Sequence, residues 1–313
     1  MQLKLLVMVL SAPLAFNALA TAFTPDKLST ELNLGTLSGQ TKERVYDPEE
    51  GGRKISQLNW KYSNAAIIKG TINWEPLPIL SVGASGWTTF SHKGGNMVDR
   101  DWNNEYIPDI WTDESRHPDT RLNFANEFDL NIKGWLVNEP DYRLGLIAGY
   151  QESRYSFTAR GGSYIYSSEE GFRDAVGSFP DRERAIGYKQ HFKMPYIGLT
   201  GSYRYEDFEL GGIFKYSSWV DSFDNDEHYS PDKRISYHSK VKNQNYYSVA
   251  VNAGYYITPD AKVYIEGTWN RITNKKGNTS LYNRNDNSSE YYKNIAGIES
   301  YNFITTAGLK YSF

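Results

Sequence analysis

Apolar and polar residues alternate with a period of two along most of this chain, the signature of strands with one face in each environment. Phe128, Leu130, Ile132 and Gly134 alternate with Glu127, Asp129, Asn131 and Lys133. Tyr142, Leu144, Leu146, Ala148 and Tyr150 share one face, as do Tyr247, Val249, Val251, Ala253, Tyr255 and Ile257. Phe208, Leu210, Gly212, Phe214 and Tyr216 mark another face, and Val263, Ile265, Gly267 and Trp269 a further one. The last strand carries Phe303, Thr305, Ala307, Leu309 and Tyr311 and ends on Phe313. Weaker patterns predict strands over Leu28–Leu37, from Leu58 through Trp60, Tyr62 and Ile68 to Trp74, over Leu80–Gly86, and over Ile197–Tyr203.

The connections fall into two groups. Four are short, at residues 75–78, 138–141, 205–207 and 258–260, and three of them contain Pro. Five are long, at about 38–56, 91–125, 156–190, 217–245 and 270–302. Short and long alternate without exception, so each group lies on its own rim. This predicts an all-β fold: a ten-stranded antiparallel up-and-down transmembrane β-barrel with long extracellular loops. A lumen of that size is filled by side chains, and the inward Glu, Lys, Arg and Asn residues should pair there. A soluble β-sandwich is the alternative fold, but its loops would not sort by length.

The amino terminus changes the picture in one respect. Met1-Gln2-Leu3-Lys4 is followed by an apolar stretch, Leu5–Phe16, and by Ala18-Leu19-Ala20. This predicts a signal peptide over residues 1–20, leaving residues 21–313 as a single barrel domain. Lys4 is the one charge in that leader, so its removal takes the net charge from −3 to −4. Such a balance argues against a nucleic-acid partner. There is no cysteine, so neither a disulfide nor a thiolate nucleophile is available. Beyond residue 20 no apolar run reaches the roughly 18 residues of a membrane helix. The 25 Tyr and 8 Trp suit the aromatic girdles of a membrane barrel.

Candidate chemistry lies on the long-loop rim. Asp99 and Asp101 stand two residues apart in Gly94–Trp102, and Asp226 and His228 do the same in Asp224–His228. In extended backbone each pair points to one face. The two segments follow the third and seventh strands, which face each other across a ten-stranded ring. Four such groups can activate water. His228 would be the general base, Asp226 would fix its tautomer, and Asp99 with Asp101 would hold the water from the other side. Crowded carboxylates share a proton, because two close negative charges repel. Three competing readings stay open: solvated surface aspartates, a divalent-metal site using Asp and His, and a Ser115–His117 nucleophile. Neither HExxH nor GxSxG occurs. His92, His191 and His238 are isolated.

At Asn96–Trp102 and Asp224–His228 the chain resembles the omptin family, outer-membrane proteases of Gram-negative bacteria. Thr41–Tyr46, Glu50–Lys54, Trp111–Thr120, Gly149–Phe157 and Tyr301–Phe313 carry the same likeness, which covers about Phe23 to Phe313. The resemblance implies an endopeptidase groove at the outer rim, facing the exterior, that cleaves basic peptides and proteins between paired Arg or Lys residues. It implies Asp99, Asp101, Asp226 and His228 as catalytic, with water as nucleophile. Glu43 and Asp224 would line the pocket for the basic residue before the scissile bond, and Asp113 would contact the residue after it. No metal or covalent cofactor is implied. Lipopolysaccharide is implied as a required activator, at Tyr150, Glu152, Arg154, His191 and Lys242; His191 replaces the family's usual Arg. Lys233-Arg234 is a bond of the preferred kind, which makes self-cleavage an expectation. A non-catalytic adhesin, a metal-dependent hydrolase and a small porin are the competing functions.

Overall fold

The computed structural model describes residues 27–49, 51–91, 93–229 and 234–313. The expected signal peptide, Glu50, His92 and Lys233 of the expected self-cleavage bond lie outside the described residues. Fourteen strands form one sheet: β1 (Leu28–Asp47), β2 (Arg53–Leu77), β3 (Leu80–Thr89), β4 (Lys93–Asp101), β5 (Asp113–Asn138), β6 (Tyr142–Arg160), β7 (Ser163–Tyr166), β8 (Ala175–Ser178), β9 (Arg184–Tyr205), β10 (Phe208–His228), β11 (Ile235–Thr258), β12 (Ala261–Ile272), β13 (Lys276–Asn283) and β14 (Ser288–Ser312). Antiparallel pairing runs β1–β2–β3–β5–β6–β9–β10–β11–β12–β14 and returns to β1. The ring of ten is therefore closed and has no free edge, as expected of a barrel.

The upper half departs from the sequence reading. Most of the residues assigned to long loops are strand. β4 continues β3 upward between β2 and β5, and β13 continues β12 between β11 and β14. β5 has 26 residues and β2 has 25, where crossing a bilayer takes about 9–11. More than half of each thus stands beyond the membrane.

The reason these strands escape a hydropathy reading is a change of frame. Within the membrane, β2 points Ile68 and Ile72 outward and Lys69, Thr71 and Asn73 into the lumen. Asn64 then sits at a positive φ of 54°, and the pairing with β1 slips by one residue. Above that bulge the inward residues are Leu58, Trp60 and Tyr62, all buried, while Lys61 faces water. A one-residue slip exchanges the faces of everything beyond it. β10 does the same between Ser217 and Val220. Below, Glu209 and Lys215 face the lumen; above, Ser222, Asp224, Asp226 and His228 face inward.

Three layers follow inside the barrel. The membrane-level lumen is polar and paired: Lys69–Glu266 at 2.5 Å, Lys215–Asp129 at 2.7 Å, Lys262–Glu209 at 2.6 Å and Arg143–Glu75 at 2.9 Å. Above it lies an apolar plug that includes Trp60, Tyr62, Tyr155, Phe157, Tyr188 and Phe192. Trp60 stacks on Tyr188 with ring centres 5.2 Å apart. The plug is the floor of an open cavity at the rim.

Candidate active site

That rim cavity has a volume of about 880 Å³ and is lined by Glu43, Asp99, Asp101, Asp226 and His228 among others. Two walls supply them. One is β1 with β4, carrying Glu43, Asp99 and Asp101; the other is β10, carrying Asp224, Asp226 and His228. The spacing of two places each set on one inward face. The sequence reading put these residues on loops; they stand on strands, which hold a site more rigidly than loops do.

His228 Nε2 lies 2.8 Å from Asp226 Oδ2. Asp226 is almost fully buried, whereas the His228 side chain keeps 29% of its surface. A carboxylate at that distance accepts the Nε2 proton and leaves Nδ1 as the basic nitrogen. Tyr237 packs edge-on against the imidazole at 5.6 Å. Asp226 Oδ1 is buried and has no hydrogen-bond partner among the described residues.

Across the cavity, Ser56 Oγ donates to Asp99 Oδ1 at 3.4 Å. Burial pushes Asp99 well above the ordinary carboxylate range; Asp101 adds to this, His228 opposes it and Asp226 adds again. Asp99 therefore senses His228 and Asp226 from the opposite wall. A carboxyl raised in this way favours its protonated form, which can donate a hydrogen bond.

Glu43 lines the cavity, and Asp224 lies buried close enough to act on it. Burial raises Glu43 well above its ordinary range, and Asp226, Asp224 and Asp99 raise it further. Glu43 Oε2 is buried and has no hydrogen-bond partner among the described residues. Asp224 accepts from the Ser239 amide at 3.0 Å and from Tyr188 OH at 3.2 Å. Burial nevertheless pushes it up to about 7, with Asp226 contributing. A buried carboxyl oxygen without a donor, as Glu43 Oε2 is among the described residues, favours a cation placed beside it.

Ser115 and His117 also reach this cavity, with Ser115 Oγ 3.1 Å from His117 Nε2. His117 Nδ1 is 2.5 Å from the Gly161 carbonyl, its ring stacks on Phe179, and burial lowers its basicity. Cross-strand pairing sets Ser115 beside Asp99. Asp113 accepts from Asn103 Nδ2 at 2.9 Å, Thr112 Oγ1 at 2.6 Å and the Ser167 amide at 2.9 Å. Its carboxylate thus ties the 102–112 loop to the β7 hairpin. Among the described residues, no group of three or more His, Asp or Glu converges as a metal-binding set would.

Tyr150, Glu152, Arg154, His191 and Lys242 are away from the cavity, on the outer face of β6, β9 and β11. Glu152 gathers three of the others: it accepts from Tyr150 OH at 2.8 Å and from Arg154 at 3.1 Å, and lies 2.9 Å from His191 Nε2. Lys242 is exposed. Tyr188, Ser239, Ser56 and Tyr237 were not singled out from sequence. Their only signal is inward parity, which on β2 and β11 changes frame at a bulge.

The comparisons with known proteins agree with this geometry. The Omptin family profile matches residues 24–313. Over 317 aligned positions the chain is 74% identical to Protease 7 of Escherichia coli (strain K12), covering all of both proteins. It is 68% identical to the outer membrane protease OmpP of the same strain, again over the full length of both. It is 47% identical to the plasminogen activator of Yersinia pestis, over 97% of this chain and 95% of that protein. The crystal structure of the outer membrane protease OmpT from Escherichia coli superposes with a TM-score of 0.92 at 76% identity, covering 94% of this chain and 99% of that one. The chain belongs to the omptin family of outer-membrane proteases.

Proposed function

We propose that this protease hydrolyses peptide bonds between paired basic residues, using water activated by Asp226 and His228 opposite Asp99 and Asp101. The observation that carries the proposal is the Asp226–His228 pair at 2.8 Å, facing Asp99 across one open cavity. In this reading a water lies between the walls. His228 takes its proton as the hydroxide oxygen attacks the scissile carbonyl, and the imidazolium is stabilised by Asp226. A proton held on the Asp99–Asp101 pair hydrogen-bonds the water or the developing oxyanion. His228 then returns its proton to the leaving amine, so the proton count closes. Glu43 and Asp224 bind the guanidinium or ammonium of the residue before the bond. Asp113, one rim further on, is in reach of the residue after it.

The test uses Asp226→Ala and His228→Ala in the folded barrel, with a peptide containing Arg-Arg. Cleavage should vanish while the heat-modifiable gel shift of the folded barrel persists. Cleavage at wild-type rate would refute the assignment. Exhaustive chelation should leave activity intact; loss of activity reversed by a divalent ion would favour the metal-dependent reading. Adhesion that survives both substitutions would show a separate binding role.

Lipopolysaccharide is proposed as activator at Tyr150, Glu152, Arg154, His191 and Lys242. Supporting this, the apolar outward face of β6 ends at Tyr150, and Arg154, His191, Phe223 and Lys240 form one row across four strands just above it. Arg154 and Lys240 in that row suit phosphorylated headgroups. Cleavage assays with and without added lipopolysaccharide test it. Self-cleavage at Lys233-Arg234 is tested by mass spectrometry of the incubated enzyme.

A further inference from the structure

β1 and β9 stand five places apart in the ring of ten, on opposite sides of the barrel. A hydrogen-bonded chain nevertheless joins them beneath the cavity. Thr41 Oγ1 on β1 donates to Gln190 Oε1 on β9. Gln190 Nε2 donates to Tyr188 OH at 2.7 Å, and Tyr188 OH donates to Asp224 Oδ2 at 3.2 Å. Every donor points the same way, and the last acceptor is a carboxylate of the deep pocket. All four side chains are buried. Trp60, from β2, stacks on the Tyr188 ring and fixes its plane. Thr41 lies two residues before Glu43 on the same inward face, and its hydroxyl is also 3.0 Å from the Glu299 carbonyl.

We propose that Thr41, Gln190 and Tyr188 form a cross-barrel strut that orients Asp224 and sets the pocket's preference for Arg over Lys. The proposal rests on the reading of Glu43 and Asp224 as that pocket. A guanidinium is recognised by two fixed acceptors in a plane, whereas an ammonium accepts almost any arrangement of oxygens. A carboxylate left to rotate would therefore lose Arg selectively. The strut also joins the wall carrying Glu43 to the wall carrying Asp224, so it fixes the distance a side chain must bridge. Tyr188 is a positioning residue, since it reaches the substrate only through Asp224.

The pH profile offers an independent readout. Asp224 faces Asp226 on its own strand, Glu43 on β1, Tyr188 on β9 and Ser239 on β11. Burial holds it at about 7, and the Tyr188 hydroxyl is one of the donors that favour its charged form. Binding of a basic side chain should strengthen as pH rises through that value. Without the hydroxyl the rise should come at higher pH.

The experiment compares Tyr188→Phe with the parent enzyme on two peptides that differ only in Arg or Lys before the scissile bond. Phe keeps the Trp60 stack and removes the hydroxyl alone, which donates to Asp224 and accepts from Gln190. For the Arg peptide KM should rise about tenfold, the worth of one hydrogen bond to a charged group, with kcat within about twofold. The Arg-over-Lys preference should narrow, and the pH midpoint of 1/KM should move upward. Gln190→Leu should act in the same direction with a smaller effect. An unchanged preference and pH midpoint would overturn the proposal, as would an equal fall in kcat for both peptides. Asp224→Asn separates the two levels. If it leaves the Arg preference intact, the pocket reading fails and the strut with it; if it abolishes that preference while Tyr188→Phe does not, only the strut fails.

Discussion

The lower and upper halves of this barrel are built from the same strands and solve opposite problems. In the membrane the outside must be apolar, so Leu144, Leu146, Leu210 and Val251 face lipid and charges pair in the lumen. Beyond the membrane the outside is wet, and the inside takes over the apolar role with Trp60, Tyr155, Phe157 and Tyr188. Bulges at Asn64 and between Ser217 and Val220 exchange the two faces. The lesson is that a strand can leave the membrane without ending. Above the exchange the inward acids Glu43, Asp99 and Asp226 line an open cavity, and the apolar floor lies between them and the paired lysines of the lumen.

The comparison predicts that upper-half changes alter chemistry, with or without a change in stability, while lower-half changes alter stability alone. The largest effect is expected for His228→Ala, which should lower kcat by about 10²–10⁴-fold, the usual worth of a general base. Steady-state cleavage of an Arg-Arg peptide checks it, with the thermal gel shift unchanged.

Trp60→Ala should come next, since it removes the largest side chain of the floor. A loss of about 3–5 kcal/mol is expected from the cavity it leaves. Because the Tyr188 stack goes with it, activity should fall as well, measured by denaturant unfolding and cleavage on the same samples.

Lys215→Ala sharpens the contrast. It strands Asp129, which Lys215 meets at 2.7 Å, inside the membrane-level lumen. Breaking such a pair should cost about 3 kcal/mol. Cleavage at low temperature should stay within about twofold of the parent. A large loss of activity there would erase the division of labour between the halves.

Asp224→Asn should do the reverse, costing function and gaining stability. The ordinary value of this carboxyl is 3.8 and its folded value is about 7. Between those limits the folded state binds more protons than the unfolded state, so stability falls as pH rises through the window. The Asn variant should be more stable than the parent at pH 8, by on the order of 1 kcal/mol, with no difference near pH 3. Melting curves across pH decide this. The smallest effect is expected for Arg284→Ala, whose ion pair with Glu227 is half exposed; a change under about 1 kcal/mol should result.

How much of this was legible in the sequence follows the same division. The ten strands, their order and the sorting of turns by rim could be read because lipid demands an unbroken apolar face, as at Phe128–Gly134. The two Asp and His sets were legible because a spacing of two survives inside any strand segment. Most of the upper extensions were not, since a bulge breaks the period and Lys240 on the outer face looks like loop. Tyr188 and Gln190 were hidden for a further reason. Their roles arise from contact with Asp224 and with Thr41, some 36 and 149 residues away.

The most direct test of the account is a crystal structure of the enzyme holding an uncleavable peptide with Arg before the blocked bond. The account predicts one water between the walls, in hydrogen-bond reach of His228 and of Asp99 or Asp101 and facing the blocked carbonyl, with the Arg between Glu43 and Asp224. A Ser115 hydroxyl or a bound metal ion at that carbonyl, with no room for water, would contradict it.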